Sequence, residues 1–279
     1  MASNSRRHFL GISAASAASF LFINEHINAS SLSLSTDDES SDKEITANLV
    51  MANHILANEG VLDGYGHVST RLSSNSQRYL LSRSLAPELV AEGDLIEYNL
   101  DSQPEHGDIR PQYLERFIHG EIYRSRPDVN AIVHCHSPAV IPFGVSSVRL
   151  MPIYHMAAFI GQGVPVFDIR SVAGMSNMII RNASLGAALA HTLGDKPAAL
   201  MRGHGAVIVG SSLRQAVGRS VYLQLSAKLQ MEAMMLGGKV EYLSPEESKM
   251  SGAPDDYRRA WSLWKRKVSA SSAEAACTK

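Results

Sequence analysis

Three histidines are the residues of this chain best suited to hold a metal ion. His134 and His136 stand two positions apart at the end of the apolar run 131–133, and His204 stands between two glycines. The run is rich in β-branched residues and predicts a buried strand, on which residues i and i+2 point to the same face. Three imidazoles are the usual ligands of a catalytic zinc that keeps one coordination position open. The pattern therefore predicts a metal enzyme.

A His-X-His pair alone is weaker evidence, because one ring of such a pair is often hydrogen-bonded in a core. The glycines around His204 add to it, since they let a backbone approach a site closely and core packing does not require them. Glu115 lies on a predicted helix before the histidine strand, on the face that carries Ile118 and His119. Its carboxylate is a candidate fourth ligand, a candidate base or an ordinary solvated side chain.

Helices and strands are intermixed along the part of the chain that must position these residues. Apolar spacing, glycines and prolines predict helices over 44–58, 111–126, 175–193, 212–236 and 245–267. Short apolar or β-branched runs predict strands over 67–72, 79–81, 95–98, 131–133, 198–201 and 206–209. Because no linker or repeat divides this block, we predict a single α/β domain.

The N-terminus resembles a twin-arginine export signal. Arg6 and Arg7 are followed by Phe9 and Leu10, and then by a weakly apolar, Ala/Ser-rich stretch over 11–23. The pattern predicts export to the periplasm. The alternative is a cytoplasmic protein in which the two arginines are a chance pair.

The predicted organisation has four parts. They are a signal peptide over 1–29, a serine-rich and acidic flexible linker over 30–43, a main domain over 44–240, and a C-terminal helix with a disordered tail over 241–279. The formal net charge of -1 argues against a nucleic-acid partner. No apolar run of the sequence is long enough to span a membrane.

The order and spacing of these motifs resemble the class II aldolase/adducin family, which includes fuculose-phosphate aldolase and ribulose-phosphate epimerase. Residues 126–136 resemble the family's metal-binding stretch, and residues 201–205 resemble the segment that carries its third metal histidine. The similarity runs over residues 44–236. The resemblance implies a three-layer α/β/α domain with a central, mainly antiparallel sheet, and it implies a homo-oligomer, a tetramer.

The same resemblance assigns roles to the candidate residues. It implies that His134, His136 and His204 bind Zn2+ or another divalent cation such as Mn2+. Glu115 falls at the position of the family's catalytic acid/base, a carboxylate that can also close the empty metal site.

Two departures from the family pattern argue against a phosphosugar substrate. The phosphosugar members hold phosphate on a Thr/Ser-Gly turn and on a Ser-Ser pair. This chain has Leu85 where the glycine would be, and residues 112–114 contain no serine pair. A phosphate-binding turn needs the backbone freedom of glycine, so an unphosphorylated small molecule is the expected substrate.

The predicted substrate-binding residues come from three segments. The family's Gly-Asn-X-Ser-X-Arg segment has its counterpart here with His67 in place of the asparagine. Ser82, Arg83 and Ser84 follow a predicted strand, and the guanidinium fork of Arg83 suits a planar carboxylate. A surface arginine beside a turn is the other interpretation of Arg83. Tyr154 completes the set.

Residues 82–89 and 154–158 resemble the branch of the family that decarboxylates dihydroxy-aromatic acids such as dihydroxyphthalate. The aldolases take a proton-donating tyrosine from a neighbouring subunit, in a stretch that contains no tyrosine here. His155 is the predicted catalytic replacement, with Tyr154 and Asp168 as the alternatives. His155 is also suited to be a hydrogen-bonded core histidine.

Three functions follow from these residues. The leading one is a metal-dependent carbon–carbon lyase that stabilises an enediolate-type intermediate, either a decarboxylase of a hydroxylated aromatic acid or an aldolase on an unphosphorylated hydroxy-carbonyl compound. The second is a sugar epimerase of the same family. The third is a non-catalytic interaction module like the adducin heads, against which the complete set of three histidines and Glu115 argues.

Overall fold

Seven strands form one sheet in the part of the chain described by the structure, a computed structural model, which covers residues 42–251 and 256–277. In chain order the strands are β1 (His67–Arg71), β2 (Arg78–Ser82), β3 (Leu95–Asn99), β4 (Ala131–Cys135), β5 (Val166–Phe167), β6 (Ala198–Met201) and β7 (Gly205–Gly210). They lie in the order β3-β2-β1-β4-β7-β6-β5, and the neighbouring pairs are antiparallel except β5 with β6. The predicted α/β fold with a mainly antiparallel sheet is confirmed.

Eight α-helices accompany the sheet within these residues. They are α1 (Asp42–Asn58), α2 (Phe117–Ser125), α3 (Ile141–Val145), α4 (Arg170–Ala173), α5 (Ala183–Leu193), α6 (Leu213–Met235), α7 (Pro245–Met250) and α8 (Arg258–Cys277). Short 3-10 segments lie at Pro87–Leu89, Glu92–Asp94, Leu114–Arg116 and His155–Ile160. None of the described helices is both long and apolar enough to cross a lipid bilayer.

Alternation of side chains along the strands divides the core into two apolar layers. On β4, Val133 packs in one layer with Leu49 of α1, and we call this the α1 layer. The neighbouring Ile132 packs in the other layer with Ile118 of α2 and Leu189 of α5, and we call this the α2 layer. Helices therefore cover both faces of the sheet, as a three-layer α/β/α domain requires.

Two predicted helices begin later than their apolar spacing indicates. The helix predicted over 111–126 begins with a 3-10 turn, because a hydrogen bond from the Ser84 N–H to the Pro111 carbonyl holds the preceding segment beside another loop. The helix predicted over 175–193 is reduced to α5, because the Asn182 side chain caps its first turn. The residues before that cap form no helix and run to the candidate site instead.

The predicted C-terminal helix is two helices. The Ser244 hydroxyl accepts the N–H of Glu247 and so starts α7, and α8 continues to Cys277, beyond the predicted helix end. At the other end, α1 already begins at Asp42, inside the predicted linker. The predicted signal peptide and the rest of the linker lie outside the described residues. Export and the four-part organisation therefore stay predictions.

Gly205 opens β7 directly against the end of β4. A Cβ at this position would overlap the carbonyl oxygen of Cys135. We expect Gly205→Ala to force the two strand ends apart and to lower the free energy of unfolding by about 1–3 kcal/mol. Gly93→Ala is the control, because no atom lies within 4 Å of a Cβ built there. Urea denaturation measures both variants, and equal midpoints would contradict the tight packing at Gly205.

Candidate metal centre

Four ligand atoms converge at one end of the α2 layer. His134, His136, His204 and Glu115 each offer one such atom, and these atoms all lie within 4.8 Å of one another. The Nε2 atom of His136 lies 3.2 Å from Nε2 of His134 and 3.2 Å from Nε2 of His204. Oε2 of Glu115 lies 3.4 Å from His134 Nε2 and 3.3 Å from His204 Nε2.

These spacings fit a bound divalent ion. A tetrahedral zinc site with bonds of about 2.0–2.1 Å has its ligand atoms about 3.3–3.4 Å apart. Four of the six distances between these ligand atoms, at 3.2, 3.2, 3.3 and 3.4 Å, match that edge length, and all six are within 4.8 Å. The donor set of three nitrogens and one oxygen suits zinc and other borderline divalent cations.

Strand β4 and one turn bring the three rings together. The alternation of β4 places His134 in the α2 layer, and His136 follows two residues later on the same face. His204 lies in the turn that joins β6 to β7, next to Gly203, whose φ of 65° is a left-handed conformation that glycine adopts without strain. Strand alternation thus aligns His134 with His136, and the glycine-flanked turn brings His204 to them, as the sequence pattern predicts.

Two backbone carbonyls orient the rings of His134 and His204. The Nδ1–H of His134 donates to the Ala206 carbonyl at 3.1 Å, and the Nδ1–H of His204 donates to the Met178 carbonyl at 3.0 Å. A carbonyl accepts but cannot donate, so in each neutral ring the hydrogen sits on Nδ1 and leaves the Nε2 lone pair for a cation. Both rings therefore hold the tautomer of a metal ligand.

Asp63 does the same for His136 and was missed in the sequence. Its carboxylate accepts the Nδ1–H of His136 at 3.1 Å, and it also accepts the backbone N–H groups of Tyr65 and Gly66 at 2.9 Å. Burial by itself would raise the pKa of Asp63, but those backbone donors and His136 hold it below its usual range. The Asp63 carboxylate thus stays ionised beside the ring. An aspartate in a glycine-rich turn gives no sequence signal for such a role.

We expect Asp63→Asn to weaken binding of a divalent ion by about 10- to 100-fold, because a carboxylate hydrogen-bonded to a ligating imidazole raises its basicity and fixes its orientation. The matched control is Asp195→Asn, since the Asp195 side chain is 82% exposed and forms an ion pair with the neighbouring Lys196. Competition with a chromophoric chelator measures both affinities. Equal affinities in the two variants would remove Asp63 from the site.

Glu115 is held in place from both of its oxygens. It is 8% exposed, and Oε1 accepts the backbone N–H of Ile180 at 3.0 Å while Oε2 faces the imidazoles. Burial raises the pKa of Glu115, but the electrostatic contacts of its carboxylate with His134 and His204 outweigh burial and hold that pKa well below its usual range. Of the three sequence interpretations, the solvated side chain is excluded; a fourth ligand and a base remain.

Burial and the Glu115 carboxylate also shift the pKa values of the imidazoles. Burial lowers the pKa of His134 below the usual value for histidine. Burial pulls the pKa of His204 in the same direction, but the contact with the Glu115 carboxylate outweighs this and raises that pKa. The Glu115 carboxylate therefore makes the cluster favourable for a positive charge such as that of a bound cation.

A cavity of about 610 Å³ opens beside the four ligand residues. His67 and Ser84, two of the predicted substrate-binding residues, line it. The remaining lining residues are Asp63, Tyr65, Tyr113, Leu114, Glu115, His136, Asn177, Met178, Ile179, Gly203 and His204. Among these described residues there is no lysine or arginine, so the lining carries no fixed positive side chain of its own.

Arg83 does not lie at the cavity, which corrects the predicted carboxylate contact. Its Nε donates to the Asp94 carboxylate at 2.7 Å, and its backbone N–H donates to the Asp94 carbonyl. This double attachment explains why the guanidinium turns toward Asp94. Ser82 is fully buried, and its hydroxyl lies 3.4 Å from the Tyr113 hydroxyl rather than in the cavity.

Tyr154 and His155 are also placed away from the imidazoles. Tyr154 packs against the α1 layer on the opposite face of the sheet, where burial raises the pKa of its hydroxyl. His155 is exposed and begins a turn of 3-10 helix. The third candidate donor, Asp168, is bound by Arg170 and Arg202. Within one chain, none of the three is brought together with the ligand cluster.

Tyr113 is a second residue that the sequence did not reveal. Its hydroxyl accepts the N–H of Leu85 at 3.4 Å and donates to the Leu85 carbonyl. The backbone donor that a phosphate-binding turn would offer is therefore already used. This observation agrees with the expectation of an unphosphorylated substrate, and it depends on two residues 28 positions apart.

Comparison with known proteins gives matches over most of the chain. A family model described as Class II Aldolase and Adducin N-terminal domain matches residues 47–231. Decarboxylase tropJ of Talaromyces stipitatus is 36% identical over 241 residues, which cover 77% of this chain and 90% of that protein. The 3,4-dihydroxyphthalate decarboxylase of Arthrobacter keyseri is 31% identical over 222 residues, which cover 74% of this chain and 85% of that protein.

Among solved structures, the L-fuculose 1-phosphate aldolase from Glaciozyma antarctica PI12 superposes with a TM-score of 0.67 at 22% identity, over 82% of this chain and 90% of that chain. At this identity the superposition supports the fold alone. The two decarboxylases agree with the predicted resemblance to that branch. The family match over residues 47–231 includes all four residues of the ligand cluster. The chain therefore belongs to the class II aldolase and adducin N-terminal domain family.

Proposed function

We propose that this protein is a divalent-metal-dependent lyase that removes carbon dioxide from a hydroxylated aromatic acid. The observation that carries the proposal is the convergence of three imidazoles and Glu115 beside an open cavity. The similarity to two decarboxylases supports the reaction type. Zinc is the first proposed cation because imidazole nitrogens suit it, and manganese is the second because the Glu115 carboxylate in the same group suits it.

A divalent ion held by His134, His136 and His204 supplies a Lewis acid for negative charge that develops on adjacent substrate oxygens. The chain's own residues then position and protonate the substrate. The ring of Tyr113 and the side chains of Leu114 and Ile179 line the cavity and offer apolar contact to an aromatic ring.

Glu115 is the proposed acid/base. Its ionised carboxylate accepts the proton of a substrate hydroxyl, and the bond between the ring carbon and the carboxylate then breaks, with the electron pair staying on that carbon. Glu115 returns the proton to the carbon, and a proton from solvent restores the hydroxyl of the product. The Ile180 N–H holds Oε1, so Oε2 is the oxygen that moves the proton.

The cavity argues for an unphosphorylated substrate over a phosphosugar. No lysine or arginine is present among the described residues that line it, and the Leu85 N–H is taken by Tyr113. The buried and oriented ligand set argues for catalysis over a binding-only module, because a binding surface has no need of three matched tautomers.

We also propose that the protein is a homo-oligomer, a tetramer. Tyr65 and Leu114 line the cavity yet remain 77% and 66% exposed, which favours a second subunit covering them. Analytical ultracentrifugation is expected to give four times the chain mass. A monomer at micromolar concentration would contradict this.

The function is tested by incubating the purified protein with a panel of dihydroxybenzoic and dihydroxyphthalic acids and measuring carbon dioxide release. We expect release from at least one acid, and loss of release in His136→Ala. His191→Ala is the control, because His191 is exposed on α5 and lies outside the ligand cluster. Cleavage of unphosphorylated hydroxy-carbonyl compounds with no release from any acid would replace the decarboxylase with an aldolase.

A further inference from the structure

A chain of hydrogen bonds runs from the cavity into the α2 layer. Nδ1 of His67 lies 2.7 Å from Nε2 of His119, and Nδ1 of His119 lies 2.6 Å from the Ser69 hydroxyl. The Ser69 hydroxyl lies 2.8 Å from the hydroxyl of Tyr123. None of the four residues is more than 1% exposed. We call these three links the His67 relay.

The secondary structure explains why these four side chains meet. His67 and Ser69 are two apart on β1 and therefore share a face of the sheet. His119 and Tyr123 are four apart on α2 and therefore share a face of that helix. Strand β1 and helix α2 face each other, so side chains of the strand pair and of the helix pair alternate along one row of hydrogen bonds.

The direction of the hydrogens follows from the inner end of the relay. The Tyr123 hydroxyl has the Ser69 oxygen at 2.8 Å and the Asn130 carbonyl at 3.5 Å. That carbonyl already accepts shorter hydrogen bonds, from the Arg71 N–H at 2.8 Å and from the Thr70 hydroxyl at 3.2 Å. The nearer Ser69 oxygen is thus the better acceptor for the Tyr123 hydrogen.

Each later link inherits this direction. Ser69 accepts from Tyr123 and so donates its own hydrogen to Nδ1 of His119. Burial lowers the pKa of His119 to about 3, so this ring is neutral and carries its one hydrogen on Nε2. That hydrogen goes to Nδ1 of His67. The ring hydrogen of His67 must then sit on Nε2, the nitrogen left for the cavity.

We propose that His67 presents this fixed Nε2–H to the carboxylate of the substrate, and that His119, Ser69 and Tyr123 are positioning residues that hold its tautomer. The inference rests on the proposed decarboxylase function and names how the acid group is recognised. A protonated Nε2 cannot bind a cation, so His67 acts as a hydrogen-bond donor beside the four-residue ligand group. Its ring centre lies 5.0 Å from that of His134, so His67 lies next to the ligand cluster.

A neutral donor suits a carboxylate that must leave. A buried arginine would bind the charged acid strongly and lose that interaction as uncharged carbon dioxide forms, which stabilises the ground state more than the transition state. A neutral imidazole N–H orients the carboxylate but stabilises the ground state less, so it raises the activation barrier less. The lining, which has no lysine or arginine among its described residues, fits this assignment.

The first test measures affinity of the metal-loaded protein for 3,4-dihydroxybenzoate and for catechol, which lacks the carboxylate. We expect His67→Phe to weaken binding of the acid by about 10-fold or more, the effect of losing a hydrogen bond to a charged group, and to leave catechol unchanged. His119→Phe should give the same pattern. His119→Gln should restore the wild-type affinity for the acid, because an amide can accept from Ser69 and donate to His67. Unchanged discrimination in both phenylalanine variants, or a wild type that binds both compounds equally, would overturn the carboxylate contact.

The second test reads the tautomer directly. Two-bond proton–nitrogen correlations on protein labelled with 15N-histidine distinguish the two neutral ring forms, and His67→Asn identifies the peaks of His67. We expect the Nε2–H form in the wild type and a mixture in His119→Phe. Ser69→Ala serves if that variant does not fold. A wild-type Nδ1–H form would overturn the relay. An Nε2–H form in a protein that decarboxylates no acid would instead overturn the proposed function and leave the relay standing.

Discussion

Removing the divalent ion is expected to lower carbon dioxide release by about 10³-fold or more, because Lewis-acid stabilisation of developing negative charge is worth several kcal/mol and each 1.36 kcal/mol is a factor of ten in rate. Dialysis against a chelator, followed by assay, measures the loss. Added zinc or manganese should restore activity to the wild type. His136→Ala should gain nothing from the same addition, because Nε2 of His136 is 3.2 Å from both neighbouring Nε2 atoms and is central to the set. Full activity in chelated protein with no residual metal would contradict the proposal.

The ion should also stabilise the fold. A ligand that binds only the native state at 100 times its dissociation constant adds about 2.7 kcal/mol to the free energy of unfolding. The ligands come from the 3-10 turn before α2, from the end of β4 with the residue that follows it, and from the turn between β6 and β7, so the ion links three separate parts of the fold. Thermal denaturation with and without the ion checks this, and an unchanged midpoint would argue against a site formed by the native structure.

Glu115→Gln is expected to lower kcat by about 10²- to 10⁴-fold, the usual contribution of a positioned acid/base, while the ion stays bound. The amide oxygen can still accept the Ile180 N–H, and the three imidazoles remain to hold the cation. What is lost is an ionised oxygen that exchanges a proton with substrate. Steady-state kinetics and metal content measured on the same sample separate the two effects.

Glu121→Gln is the matched control for this variant. Glu121 is equally buried at 8% exposure and lies on α2, but it faces Arg124 and not the cavity. It should keep both activity and metal. Unchanged turnover in Glu115→Gln would remove Glu115 from the mechanism, whereas loss of the ion together with activity would make it an obligatory ligand.

The ligand cluster was predictable from the sequence because its geometry is mostly local. Strand periodicity alone places His134 and His136 on one face, and the glycines beside His204 mark a turn at the end of another strand. The pairing of β4 with β7 then brings the two segments together. This antiparallel pairing is enough to place the two histidine segments at one site.

Residues whose role depends on distant contacts could not be predicted in this way. Asp63 meets His136 across 73 positions, and His119 meets His67 across 52. Distant contacts also explain why Arg83 and Tyr154 do not lie where the sequence predicts. The guanidinium of Arg83 suits a carboxylate, but it binds the carboxylate of Asp94 in place of a substrate. Tyr154 belongs to the opposite face of the sheet, which no motif in its own segment indicates.

The central claim is that His134, His136 and His204 bind one divalent ion through their Nε2 atoms. Anomalous X-ray diffraction from crystals of the metal-loaded protein, collected on both sides of the absorption edge of the ion, tests it most directly. We predict one anomalous peak per chain, bonded to those three nitrogens at about 2.0–2.1 Å. A peak elsewhere, or none between the three rings in protein that carries one equivalent of metal, would contradict it.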